Sequence, residues 1–171
     1  MDRKLRLAAL VAVLAVAGCD RQPVDQPAVA ATPPAPTSAY AFTFDYMHAR
    51  QDVGDPGKVR AAAEGAFYVV VHYAIQNTGS APVPVPDMIP LVLRDGQGRT
   101  YSADPDATAL LLTEANIEVD PVRTGDLNPG VSHKTAAVFE IDRTAWQFRP
   151  WHVQPIGLPN ASVELPALDL P

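Results

Sequence analysis

A single cysteine, Cys19, is all the thiol chemistry this 171-residue chain holds. No intramolecular disulfide can form, and a cysteine-ligated metal cluster is excluded with it. Basic residues are scarce as well: 13 Lys and Arg stand against 19 Asp and Glu, for a net charge of −6. Proteins that bind nucleic acid neutralise phosphates with clustered lysine and arginine, so nucleic acid is not an expected partner. The four histidines, His48, His72, His133 and His152, fall in no H-x-H or H-E-x-x-H spacing, and no metal set is read from them. There is no G-x-S-x-G and no glycine-rich phosphate loop. Ser132 and His133 adjoin on an expected strand, which points them to opposite faces and denies them a nucleophile–base pairing. With no catalytic constellation and no cofactor motif, the chain is expected not to be an enzyme. Asp52, Asp55, Asp104 and Asp106 lack a full calcium-loop pattern and read as solvated turn and cap acids.

What is present centres on Gly65–Gly79, GAFYVVVHYAIQNTG. Phe67, Tyr68, Val69, Val70, Val71, Tyr73 and Ile75 are aromatic or β-branched, types that suit a pleated surface and lose χ1 freedom in a helix. The run therefore predicts a central strand. One face, Phe67, Val69, Val71, Tyr73 and Ile75, is the expected core. The other, with Tyr68, Val70, His72, Ala74 and Gln76, is mixed and expected to be only partly covered, His72 being half-exposed.

The N-terminus sets the expected compartment. Arg3, Lys4 and Arg6 precede an apolar run from Leu7 to Ala17, too short to span a bilayer and of the form of a secretory signal. Val16-Ala17-Gly18-Cys19 closely resembles the lipobox of bacterial lipoproteins. That resemblance implies lipidation of Cys19, removal of residues 1–18 and acylation of the new N-terminus. The plainer alternative is an ordinary signal peptide with a stray cysteine. The mature chain would carry a net charge of −8. Asp20 weakly favours the inner membrane by the enterobacterial sorting rule, and the leaflet stays open. Residues 20–39, with Pro23, Pro27, Pro33, Pro34 and Pro36 and no aromatic residue, form a linker. Stiffened towards polyproline II at ~3.1 Å per residue, it reaches at most about 60 Å.

A sandwich is expected from 40 to 155. Tyr40, Phe42, Phe44 and Tyr46 alternate with Ala41, Thr43, Asp45 and Met47, which predicts a first strand with one aromatic face. In Ala81–Asp95 the prolines 82, 84, 86 and 90 all take even positions and apolar residues take odd ones. That parity fits a strand barred from pairing along one edge; a proline-rich loop ahead of a strand from about Ile89 is the alternative. Asp95-Gly96-Gln97-Gly98 is a hairpin turn, and Asp104-Pro105-Asp106 starts a helix running to about 114, with Leu110 and Leu111 inward. Further strands are expected at Ile117–Val122, Ser132–Ile141 and Trp146–Val153, the last broken at Pro150. Residues 156–171 are expected to be irregular. About seven short strands and one short helix predict an all-β, two-sheet antiparallel sandwich.

The order of pieces adds a resemblance. G-x-F-x-V-V-x-x-x-I-x-N-x-G (Gly65–Gly79), L-x-D-x-x-G-x-x-Y (Leu93–Tyr101), L-N-P-G (Leu127–Gly130) and A-x-F-E-I (Ala137–Ile141) follow the lipobox and linker. The chain resembles the telokin-like, immunoglobulin-like domain of unknown function found in bacterial lipoproteins and secreted proteins. The resemblance implies an immunoglobulin-like fold and an extracytoplasmic binding or structural role, with no catalytic residues. The expected function is thus a lipid-anchored module facing the periplasm or cell exterior that binds another envelope protein. Either an open sheet edge or the cluster of Trp146, Trp151, Arg143 and Arg149 would serve, with Trp146 and Phe148 in the core and Trp151 at a rim. The alternative is a small-ligand or metal sensor resting on His72, His133 and the acidic loops.

Overall fold

The computed structural model describes residues 39–84, 90–121 and 125–171. The expected signal peptide, Cys19 and linker residues 20–38 lie outside the described residues, as do 85–89 and 122–124. A three-stranded antiparallel sheet has the order β1 (Tyr40–Arg50), β4 (Ala66–Asn77), β9 (Ser132–Asp142). Facing it is a four-stranded antiparallel sheet of β11 (Val163–Glu164), β10 (His152–Pro155), β6 (Leu91–Arg94) and β7 (Thr100–Ser102). Two short ribbons pair β2 (Asp52–Val53) with β3 (Arg60–Ala61), and β5 (Val83–Pro84) with β8 (Asp126–Leu127). Among the described residues one α-helix, α1, spans Pro105–Leu111. The expected all-β antiparallel sandwich with a short helix is the observed architecture.

β4 is the middle strand, and both of its faces are buried. Phe67, Val69, Val71, Tyr73 and Ile75 pack between the sheets against Leu91, Leu93, Trp146, Trp151 and Val153. On the reverse face Tyr68 and Val70 join Ala136 and Val138 beneath Ala107 and Leu111 of α1 and Val53 of β2. The second face is therefore not half-open, and His72 is only 2% exposed. The helix and the chain that follows it form a third layer, which the pattern of β4 alone could not announce. Fully burying each such valine or aromatic stabilises the fold by roughly 1.5–3 kcal/mol.

The helix begins where its cap chemistry places it. Asp104 accepts the Ala107 N–H at 2.9 Å, and Pro105 occupies a position that needs no donor. The same turn closes the outer edge of β9: the Asp104 N–H donates to Val138 C=O at 2.7 Å, and Thr108 Oγ1 accepts the Val138 N–H at 3.0 Å. Farther along, Asp120 accepts the Lys134 N–H on its carboxylate at 2.8 Å and donates its own N–H to Lys134 C=O at 3.0 Å. No strand forms over 117–121, contrary to expectation, because the Val119 N–H turns back to Ile117 C=O and Asp120 alone serves the edge. Val122 lies outside the described residues.

Other expectations need correction. Ala81–Asp95 is not one strand: β5 pairs with β8 in one ribbon and β6 starts at Leu91 in the four-stranded sheet, close to the loop-first alternative. Trp146–Val153 is not a bulged strand either. Ala145–Gln147 forms a 3-10 turn, and β10 starts only at His152, after Pro150 has removed a donor. The tail is not wholly irregular, since β11 pairs with β10 and Leu165 is buried. Strict alternation in β1 breaks between Phe44 and Tyr46, where a bulge makes Asp45 the extra residue.

The turn after β6 is locked against the Phe148–Pro150 loop. Gly96 donates its N–H to Phe148 C=O at 2.7 Å, and a Cβ at this position would run into the Arg149 carbonyl. Gly96→Ala is expected to cost about 1–3 kcal/mol by overpacking. Urea unfolding checks this, and an unchanged midpoint would contradict it.

Candidate functional site

The residues first singled out are not gathered at a surface. Trp151 is 0% exposed, its Nε1–H donating to Trp146 C=O at 3.1 Å, and the two indoles stack with centroids 4.8 Å apart. Trp151 belongs to the core, not a rim. It is placed there because the chain turns inward after Pro150 and the indole N–H finds a carbonyl inside. Phe148, expected in the core, is the exposed member, because the 3-10 turn ends the alternation that would have aligned it with Trp146. Arg149 lies over the Trp146 ring at 5.3 Å and donates to Pro166 C=O at 3.1 Å. Arg143 lies over Phe67 at 5.8 Å and donates to Pro171 C=O at 2.9 Å. Both arginines thus clamp the tail and shield core rings. Cys19 lies outside the described residues.

His72 and His133 do not meet. In the β4–β9 register His72 faces Ala136 while His133 faces Ile75, so the two imidazoles occupy opposite faces. The acids are spoken for in part: Asp104 caps α1 and pairs with Arg60 at 2.7 Å. Among the described residues no group of three or more His, Cys, Asp and Glu is arranged to hold a metal ion.

Two other features stand out. The first is an apolar cavity of about 360 Å³ between the sheets, floored by Tyr73, Leu91 and Ala137 and rimmed by Pro90, Pro105 and Ile156. Burial pushes the Tyr73 phenol up to about 12, so it is a neutral hydroxyl throughout the physiological range. Sequence reasoning missed this space because its walls come from β4, β6, β7, β9, the start of α1 and the loops beside them, and no local pattern links them.

The second is the bulge in β1. It carries Tyr46 across to the reverse face, where the ring stacks on His72 with centroids 4.1 Å apart and planes 10° from parallel. His48 lies 5.3 Å from His72. Among the described residues neither His72 nitrogen has a hydrogen-bond partner. Burial first, and the neighbouring His48 second, push His72 down to about 4 against the small opposing pull of Asp45. Burial likewise lowers His48, with Arg50 adding to the effect. The outer edge of β1 has no strand beside it among the described residues.

A depressed histidine makes folding proton-linked. Between the ordinary value of 6.5 and about 4 the unfolded chain holds more protons than the folded one, so stability rises with pH. The contribution is whole above 6.5 and drains away as the pH falls towards 4. His72→Phe keeps the stack and removes the titration. Its melting temperature is expected to fall less than that of the wild type between pH 7 and pH 4.5; equal slopes would contradict this.

No protein-family model matches the chain. Over 118 residues it is 29% identical to the uncharacterized protein YxkC of Bacillus subtilis (strain 168), covering 69% of this chain and 65% of that relative, less than two thirds of its length. A crystal structure of a conserved hypothetical protein from Bacillus anthracis aligns with a TM-score of 0.62 at 21% identity, over 76% of this chain and 89% of that one. That likeness concerns the fold alone. An uncharacterized β-sandwich protein from Clostridium difficile 630 aligns at a TM-score of 0.44 and 12% identity, over 68% and 78% of the two chains.

Proposed function

We propose that the protein is a lipid-tethered, non-catalytic binding module of the bacterial cell envelope, its sandwich of the telokin-like, immunoglobulin-like type. Cys19 carries the lipid, residues 20–39 act as a spacer, and the sandwich faces the periplasm or exterior to engage a protein partner. The observation that carries the reading is the run Val16-Ala17-Gly18-Cys19 behind a basic and apolar leader, followed by a proline-rich spacer that enters the sandwich at the edge strand β1. Two or more acyl chains anchor firmly where one binds marginally. The spacer then sets how far β1 stands from the bilayer.

A second reading, small-ligand binding, is favoured by the cavity between the sheets. Its size falls within the range of ligand pockets, and its walls suit an uncharged apolar molecule. Thermal shift across a panel of such molecules tests it: a saturable rise in melting temperature is expected, and a flat response removes the reading.

The tether is tested by fractionation. Cys19→Ser is expected to move the protein from the membrane pellet to the soluble envelope fraction; retention in the pellet would overturn the proposal.

A further inference from the structure

The cavity between the sheets is a blind slot, closed at one end and open at the other. Its floor is Tyr73, Leu91 and Ala137, each no more than 2% exposed. Its mouth is Pro90, Pro105 and Ile156, all exposed, and Ile156 keeps 56% of its surface in water. Two proline rings with fixed φ frame that mouth, and the Ile156 N–H donates to Pro90 C=O at 2.8 Å. The opening is therefore held in place by covalent rings and a main-chain bond. No described residue that lines the slot carries a charge, and Ser102 brings an exposed hydroxyl to its side. Sheets packed face to face stand about 10 Å apart, so the space between them is about one hydrocarbon chain thick.

We infer that the slot takes the hydrocarbon end of a linear amphiphile, inserted end-on, with the polar end left at the mouth beside Ser102. The inference rests on the small-ligand reading and gives that ligand a class. A charged group could not follow the chain inward, because nothing on the floor answers a charge. A bulky molecule of equal carbon count needs a width that two packed sheets do not give. The outer methylenes lie across Ile156 and cover apolar surface that otherwise faces water.

The volume limits the length of chain that enters. At roughly 30 Å³ for a methylene-sized unit, the share of one water in the liquid, 360 Å³ holds at most about twelve carbons. Each buried methylene is worth roughly a fourfold gain in affinity. Affinity therefore climbs with chain length until the slot is full, and then stops climbing.

Titration calorimetry on the full-length Cys19→Ser chain, purified without detergent, tests this with primary alcohols from butanol to dodecanol. Affinity is expected to rise roughly fourfold per methylene and to level off at about eight to twelve carbons. Adamantanol, which has as many carbons as decanol, is expected to bind about tenfold more weakly. Ala137→Leu fills the floor and is expected to shift the levelling-off by about three carbons towards shorter chains. Ser102→Leu narrows the mouth from an exposed position and is expected to weaken decanol about tenfold. Thermal melts establish that each variant folds, and the exposed site carries the test should the floor variant not fold. Vesicles bearing a labelled phospholipid chain separate the sources. Protein-dependent transfer between vesicles assigns the chain to a bilayer lipid, alcohol binding without transfer assigns it to a dissolved amphiphile, and both support the class. Saturable binding that ignores chain length, or adamantanol binding as tightly as decanol, would overturn the linear chain and leave the small-ligand reading standing. Alcohol binding unchanged in the folded variants would place the site elsewhere and overturn the inference as well. No saturable binding of any of these compounds would remove the cavity reading itself.

Discussion

Everything in this fold depends on burying β4 from both sides. A strand with Tyr68, Val69, Val70 and Val71 in succession has no solvent face to offer, so one facing sheet cannot satisfy it. The four-stranded sheet covers one side, and α1 with the segment after it covers the other. The ties that hold this third layer are polar and lie at its margins. Arg50 of β1 pairs with Glu114 at 2.7 Å, and Glu114 also accepts the Gly54 N–H at 2.7 Å. Arg60 pairs with Asp104 beside the helix cap. These contacts position the layer, while the apolar burial beneath it supplies the stabilisation.

The two-sided burial has a consequence at His72. A polar ring on the reverse face would ordinarily find water or a partner, since buried polar groups are nearly always satisfied. Here the bulge at Asp45 brings Tyr46 over it instead, and the imidazole is sheltered with no hydrogen bond from any described residue. The same bulge ends the flat part of β1. One extra residue thus sets the proton sensitivity of the interior and breaks the regular ladder of β1 against β4.

Much of this was legible in the chain. The β4 run, the Asp104 cap, the turn at Asp95–Gly98 and the strand from Ser132 each rest on local chemistry, and each stands where that chemistry puts it. What could not be read was decided by distant partners. Asp95 reads locally as a turn acid, yet its carboxylate is fully buried and accepts from Arg99, Gln97 and Tyr101. Burial raises its pKa, but those hydrogen bonds, led by Arg99, outweigh it and leave the group below the ordinary carboxylate range. Trp151 and Phe148 exchanged expected places because a 3-10 turn reset the alternation. The β1 bulge left no mark on a pattern that alternates through Tyr46. Asp120 replaced an entire strand with one carboxylate and one N–H.

Native-state amide hydrogen exchange on dilute, unlipidated protein tests the central claim most directly. The amides of Phe67–Ile75 are predicted to exchange only through global unfolding, as the slowest in the chain. Along β1, Ala41 and Thr43 should be protected while Phe42 and Phe44 exchange freely. Rapid exchange in β4, or even protection along β1, would contradict a doubly buried centre strand beside a strand that, among the described residues, is paired on one side alone.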